Sequence, residues 1–152
     1  MDAYGHVNNV QVLRLLEDAR VVAFANAGCD HGGTMVDTGL LVAGQRIEYL
    51  EPLVYRTAPV AIELWVTRFS AASFDLGYEV LDDADTPSGT TAHGHAHDAR
   101  PATGARVYAR AETTLVTYDL VNHRPRRMSA DERSRLEAWQ AEPVVWRRSH
   151  SR

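Results

Sequence analysis

The stretch that decides the fold reads Asp2-Ala3-Tyr4-Gly5-His6-Val7-Asn8-Asn9 and continues unbroken as VQVLRLLEDARVVAFANA to residue 27. The first eight residues make a polar turn in which Gly5 permits a tight reversal. From Asn9 onward, Val12, Leu15, Leu16, Ala19, Val22, Ala23 and Ala27 recur at helical spacing and form one apolar stripe. Gln11, Arg14 and Asp18 fall on the opposite face. Asn8 or Asn9 suits an N-cap, and Gly28 stands where a C′ glycine belongs. The spacing predicts one long helix over roughly 9–27, apolar on one side only, which has to lie on a sheet.

Beyond the helix the chain reads as strands. Arg46 to Leu50 alternates, with Ile47 and Tyr49 on one side. Val60, Ile62, Leu64 and Val66 alternate next, then Phe74, Leu76, Tyr78 and Val80. In the fourth and longest run, Val107, Ala109, Ala111, Thr113 and Leu115 face one way, and Arg106, Tyr108, Arg110 and Glu112 the other. Strict alternation in successive runs predicts an antiparallel sheet with one buried and one wetter face. Small residues on the last strand let a helix approach closely. Residues 83–104 carry Pro, Gly, Ser and Thr without apolar period and read as a long loop or insertion. Ser129-Ala130-Asp131-Glu132 is a capping box that starts a short helix reaching about Gln140. The tail after Pro143 shows no element. The predicted class is α+β, helix, four strands, helix, in a single domain over residues 1–142 with a tail over 143–152.

Composition limits the function. The 152 residues are 45% hydrophobic and 24% charged, the balance of a globular chain rather than a disordered or fibrous one. No apolar run approaches the ~18 residues of a membrane helix. Asp2 directly follows Met1, with no signal-peptide pattern, and the lone Cys29 makes no internal disulfide, so a cytoplasmic protein is expected. A net charge of −4 argues against nucleic acid as partner. All sixteen basic residues are arginine, which excludes Schiff-base lysine chemistry.

The chemistry belongs at the first turn. A helix N-terminus offers unpaired N–H groups and a positive dipole end. A carboxylate beside it, Asp2, can act as base or nucleophile while those N–H groups hold an oxyanion. His6 and Asn8 add hydrogen-bonding side chains. The same residues also make an ordinary turn and cap, and the spacing alone leaves both readings open.

The string Asp-Ala-Tyr-Gly-His-Val-Asn-Asn, followed on the helix by Glu17-Asp18-Ala19-Arg20, resembles the acyl-CoA thioesterases of the 4-hydroxybenzoyl-CoA thioesterase-like hotdog family. It is also similar to the second hotdog repeat of plant acyl-ACP thioesterases. The resemblance extends through Ile47-Glu48-Tyr49-Leu50-Glu51-Pro52, Ser73-Phe74 and the last strand into Tyr118-Asp119. It implies a single hotdog fold, a long central helix packed on a curved antiparallel sheet. It implies thioester hydrolysis of acyl-CoA or acyl-ACP with no cofactor and no metal, in a homodimer or homotetramer with sites at the subunit interface. Carried onto this chain, Asp2 matches the catalytic aspartate, the Asn9 N–H the oxyanion donor, and His6 the plant enzymes' histidine. Tyr4, Gly5, Val7, Asn8, Val12 and Ser73 are the implied substrate-binding positions. Tyr4 stands where the plant enzymes have asparagine, and Val12 where many bacterial relatives have tyrosine. The strand that precedes the aspartate in the family is missing here, through a late start codon or a real loss. Glu17 is the rival carboxylate, since another hotdog branch uses one eight residues after its oxyanion donor. Its structural alternative is an ion pair with Arg14 or Arg20.

The remaining candidates carry less. His93, His95 and His97 alternate as zinc ligands on a strand would, but in a Gly/Thr-rich segment that reads as solvated loop. Cys29 follows the helix end and reads as inert. Arg124, Arg126 and Arg127 are either a solvated cluster or a grip for the phosphates of coenzyme A. Ser73 and Thr114 belong to no nucleophile elbow. Two other functions fit the same fold, a catalytically weak acyl-binding or assembly module and an acyl-CoA or acyl-ACP dehydratase or hydratase.

Overall fold

A computed structural model describes residues 5–26, 39–57, 59–82 and 106–147. Helix α1 spans Asn9–Asn26. Asn8 is its cap: the side-chain Oδ1 accepts the Gln11 N–H at 2.9 Å, and the Asn8 carbonyl accepts that of Val12 at 3.2 Å. Val12, Leu16 and Ala23 of the predicted stripe are buried, and Gln11, Arg14 and Asp18 are exposed. Ala27 and Gly28 lie outside the described residues. Phe24 joins the stripe as well. Its ring stacks on Trp139 at 5.7 Å and meets Phe74 edge-on at 6.1 Å.

The strands are β1 (Leu40–Tyr49), β2 (Val60–Phe69), β3 (Ser73–Asp82), β4 (Val107–Asp119) and the short β5 (Arg124–Pro125). They run antiparallel in the order β1-β4-β3-β2, with β5 added to the end of β4. The predicted inward faces of β3 and β4 form the core: Phe74, Leu76, Tyr78 and Val80 beside Ala109, Ala111 and Leu115, under Val12, Leu16 and Phe24. Each fully buried large apolar side chain contributes about 1.5–3 kcal/mol. Ala109 and Ala111 are both buried in this cluster. Gly39 precedes β1 with φ +82, where a Cβ would collide with the Tyr118 carbonyl oxygen.

The outer face is drier than alternation predicts. Tyr108, which alternation puts on that face, is instead 5% exposed within the core cluster, because the register shifts between Val80 and Leu81 beside it. Asp75 is buried too, bound by Arg68 at 2.7 Å and Thr114 at 2.6 Å. The chain after the second helix covers part of this face. That helix, α2, spans Ala130–Glu137 and opens on the predicted capping box, with both reciprocal bonds present. It stops short of Gln140, which instead forms a bridge with Val66 at the β2 edge. No helix among the described residues is long and apolar enough to cross a membrane. The architecture is therefore α+β, as predicted. The loop expected over 83–104 lies outside the described residues.

Candidate active site

The start of α1 is where backbone donors are left over. With Asn8 capping Gln11 and Val12, the Asn9 N–H has no partner among the described residues. The chain leading to it is held in place. Gly5 takes φ +78, His6 bridges Val54, the Val7 N–H donates to the Leu53 carbonyl at 2.8 Å, and that of Tyr55 to the Gly5 carbonyl at 3.4 Å. Positive φ suits glycine, which has no Cβ to crowd the carbonyl.

Asn9 borders a cavity of about 260 Å³ between the helix start and the sheet. His6, Val7 and Val12 share the helix side with it. The opposite wall is Tyr49 and the segment from Leu50 to Leu53, and Val80, Tyr108 and Ala109 complete the lining. The surface is chiefly apolar, with the His6 imidazole, the Tyr49 and Tyr108 phenols and the Glu51 carboxylate among its lining residues. Burial pushes the Tyr49 phenol up, so near neutral pH it is an O–H donor, and it has no hydrogen-bond partner among the described residues. Tyr108 is fixed from outside: its hydroxyl receives from Arg56 at 3.2 Å and donates to Asp82 at 3.3 Å, and Arg56 pairs with Asp82 at 2.6 Å. Glu51 is the described carboxylate of the lining, and Arg106 holds it at 2.6 Å.

The structure thus brings together four of the predicted site residues, His6, Val7, Asn9 and Val12. Gly5 and Asn8 flank them as turn and cap. Asp2 and Tyr4 lie outside the described residues, as do Cys29 and the histidines 93, 95 and 97. Ser73 is not at the cavity: it begins β3, seven residues from Val80, about 23 Å along the strand. Glu17 is exposed on another face of α1, in a groove of about 580 Å³ with Arg14, Arg20 and Gln45. Among the described residues it pairs with neither arginine. Arg20 turns inward instead and donates to the Tyr78 hydroxyl at 3.2 Å. Burial raises the Tyr78 phenol, partly offset by that guanidinium. Of the basic cluster, Arg126 is committed to both oxygens of Glu132, at 2.8 and 2.5 Å, and is a structural clamp rather than a phosphate ligand. No group of three or more metal-ligating side chains occurs among the described residues.

Sequence reading missed Tyr49, Leu50, Glu51, Leu53, Val80, Tyr108 and Ala109 as cavity residues. Tyr49, Leu50 and Glu51 stand in the stretch that carries the family resemblance, and alternation puts Tyr49, Val80 and Ala109 on inward faces, but neither says which position along the sheet meets the helix start.

The fold recurs in known structures. YbaW of Escherichia coli, described as a probable thioesterase, superposes with a TM-score of 0.68 at 23% identity, over 91% of this chain and 90% of that one. PA2801 of Pseudomonas aeruginosa, a putative thioesterase by description, matches at 27% identity with a TM-score of 0.61, over 88% and 87%. A thioesterase from Thermus thermophilus, solved with coenzyme A and zinc, matches at 21% with a TM-score of 0.64, over 95% and 88%. No curated protein sequence matches the chain. A family model, the thioesterase-like superfamily, matches residues 1–140. With nearly the whole folded unit inside that match, and the antiparallel sheet and long helix of thioesterase structures around it, the chain belongs to the thioesterase-like superfamily and is an enzyme of thioester hydrolysis.

Proposed function

We propose that the protein hydrolyses acyl-CoA to the free acid and coenzyme A at the cavity under the start of α1. The observation that carries this reading is that Asn9, whose N–H has no partner among the described residues, lines a chiefly apolar cavity at the start of α1. Asp2, seven residues upstream, takes a proton from water. The resulting hydroxide adds to the thioester carbonyl carbon, and the new oxyanion is held by the Asn9 N–H. Collapse of the tetrahedral intermediate breaks the C–S bond and releases the coenzyme as thiolate, a good leaving group, which takes up the proton held by Asp2 and restores the carboxylate. Direct attack by the Asp2 carboxylate would give an anhydride that water then opens, with the same products. His6 lines the cavity as a hydrogen-bonding group beside the carbonyl. Acyl-ACP, which delivers the same pantetheine thioester, is the alternative substrate.

A homodimer, alone or paired into a tetramer, is part of the proposal. Among the described residues, strand β1 has β4 on one side and no strand on the other, and Leu41 and Val42 on it are 44% and 51% exposed. Val10 and Val21 of α1 are exposed nearby, at 69% and 48%. An open, apolar strand edge favours pairing with a second copy. Such a copy would cover the groove that holds Glu17 and close the cavity mouth. We further assign residues 1–142 to the catalytic unit, 143–152 to its tail, and the protein to the cytoplasm.

The test is a thiol-release assay with a panel of acyl-CoAs on the full chain, alongside Asp2→Asn and Glu17→Gln. Turnover lost in Asp2→Asn and kept in Glu17→Gln is expected. Loss in Glu17→Gln alone transfers the carboxylate role to the helix face, and no thiol release by correctly folded protein removes the acyl-CoA reading.

A further inference from the structure

The chain beyond α2 does not trail into solvent. It crosses the outer face of the sheet over all four long strands. The Val66 N–H donates to the Trp139 carbonyl and the Ala141 N–H to the Val66 carbonyl, both at 2.9 Å, anchoring it to the β2 edge. Next, the Trp65 indole N–H donates to the Glu142 carbonyl at 2.8 Å. Val144 lies on Gly77 of β3 and is 6% exposed. A Cβ at Gly77 would stand 2.8 Å from Val144 and 2.8 Å from Trp65, so the glycine is what lets the chain settle there. Arg110 of β4 donates to the Val145 carbonyl at 2.8 Å. On β1, the Arg46 guanidinium stacks on the Trp146 ring at 3.9 Å, and Glu48 accepts the Arg147 N–H at 3.1 Å. The register makes this one row: Trp65 faces Gly77, Gly77 faces Glu112, and Glu112 faces Arg46.

The row ends at the cavity. The Arg147 guanidinium donates to the Leu50 carbonyl at 3.2 Å, and Leu50 is a cavity-wall residue. From the strand side the same wall is held by the Leu50 and Glu51 N–H groups, both donating to the Tyr108 carbonyl. Among the described residues, the end of β1 thus has β4 on one side, no strand on the other, and the strap across its outer face. Residues 141–147 lie past the stretch that the family model matches.

We infer that residues 139–147 are a strap that fixes the Tyr49–Leu50 wall of the cavity from the outer face, with Arg147 as a positioning residue for acyl binding. The role in binding rests on the cavity being the acyl site. Arg147 touches no reacting atom, so its loss loosens binding and leaves the chemical step alone.

The test uses the full chain with Arg147→Ala, Arg147→Lys and Trp146→Ala. Amide hydrogen exchange, which needs no substrate, reads the strap directly. Arg147→Ala and Trp146→Ala are expected to speed exchange at Leu50 and Glu51 about tenfold while the β3 amides stay unchanged. In the thiol-release assay KM for acyl-CoA rises roughly threefold to tenfold with kcat within about twofold, and Arg147→Lys, which still reaches the Leu50 carbonyl, recovers most of the loss. Unchanged exchange at Leu50 and Glu51 overturns the strap. Faster exchange with unchanged KM overturns its role at the site. A wild-type chain that turns over no thioester refutes the function proposed above, while the exchange result still decides the strap. Should Arg147→Ala fail to fold, Arg147→Met keeps the apolar stem and gives the same readouts.

Discussion

Replacing Asn9 by proline separates catalysis from stability at the start of α1. Asn9 is the first helical residue, since Asn8 is the cap that accepts from Gln11 and Val12. Proline is welcome there: its fixed φ suits the helix, and the N–H it lacks makes no bond within the helix. The residue before a proline is driven to extended backbone, which is the conformation a cap takes. The helix therefore keeps every hydrogen bond it has now, and stability changes by less than about 1 kcal/mol, with stiffening of the unfolded chain favouring the variant. What disappears is the N–H proposed as the oxyanion donor. Removing a single oxyanion donor costs about 10²–10³ in kcat, or roughly 2.7–4 kcal/mol of transition-state stabilisation. The expected result in the thiol-release assay is thus a hundredfold or greater fall in kcat at an unaltered Tm. Asn9→Ala, which keeps the N–H, holds kcat near the wild-type value and marks any contribution of the side chain. A folded Asn9→Pro variant that retains kcat within about threefold refutes the oxyanion assignment and with it the location of the reacting carbonyl.

Two further predictions concern stability. The Arg126 guanidinium and the Ser129 N–H hold the Glu132 carboxyl down at about 2, below its usual 4.5. A lowered folded-state value stabilises at pH above the unfolded value, and the contribution is lost as pH falls from about 4.5 toward about 2; over that window the loss reaches about 3 kcal/mol at most. Thermal unfolding should show wild type losing more stability than Glu132→Gln between pH 5 and pH 2, and parallel curves would count against the clamp. Phe24→Ala removes a fully buried ring from between Trp139 and Phe74 and should cost about 3–5 kcal/mol in chemical denaturation, whereas a loss below about 1 kcal/mol would mean the contact between α1 and the chain after α2 is not part of the core.

The parts of the fold that were legible are those whose signal is local. The α1 stripe repeats every three or four residues behind an asparagine cap, and β3 alternates cleanly from Phe74 to Val80 because its inner face lies entirely in the core. Strand β1 was half seen. Its register shifts between Val42 and Gly44, and a bulge breaks the period of two that reveals a strand, so only the run from Arg46 on was read. Strand β2 shifts likewise between Val66 and Arg68 and runs on to Phe69. The outer face was read as wet because Tyr108, Arg110 and Glu112 alternate with apolar neighbours. Two things dry it: side-chain pairs such as Arg110 with Glu79 at 2.6 Å, and the strap. A strap holds on through its backbone carbonyls and single side chains, with no period of its own, and so leaves no pattern in a sequence.

The site was legible only on its helix side, for a reason rooted in how a helix begins. Four N–H groups at a helix start lack partners within the helix, and a cap removes the need for some of them. They run here from Asn8 to Gln11: the Asn8 side chain satisfies the last, Gln11, and the Val12 N–H to the Asn8 carbonyl is the first bond of the helix itself. The Asn9 and Val10 N–H groups stay open among the described residues. Of these two residues Asn9 lines the cavity and Val10 does not. A sequence can announce this arrangement because cap and donor are neighbours along the chain. The opposing wall cannot announce itself in that way. Tyr49, Leu53, Val80 and Ala109 are gathered from β1, the segment after it, β3 and β4, and their meeting is fixed by strand register. Ala109 faces Val80 on one side and Tyr49 on the other. The Val7 N–H to Leu53 carbonyl bond then sets the helix start against that row. Under the proposed function, the place of the acyl group is therefore decided by pairings between residues tens of positions apart, while the group proposed to receive the negative charge is decided within four residues.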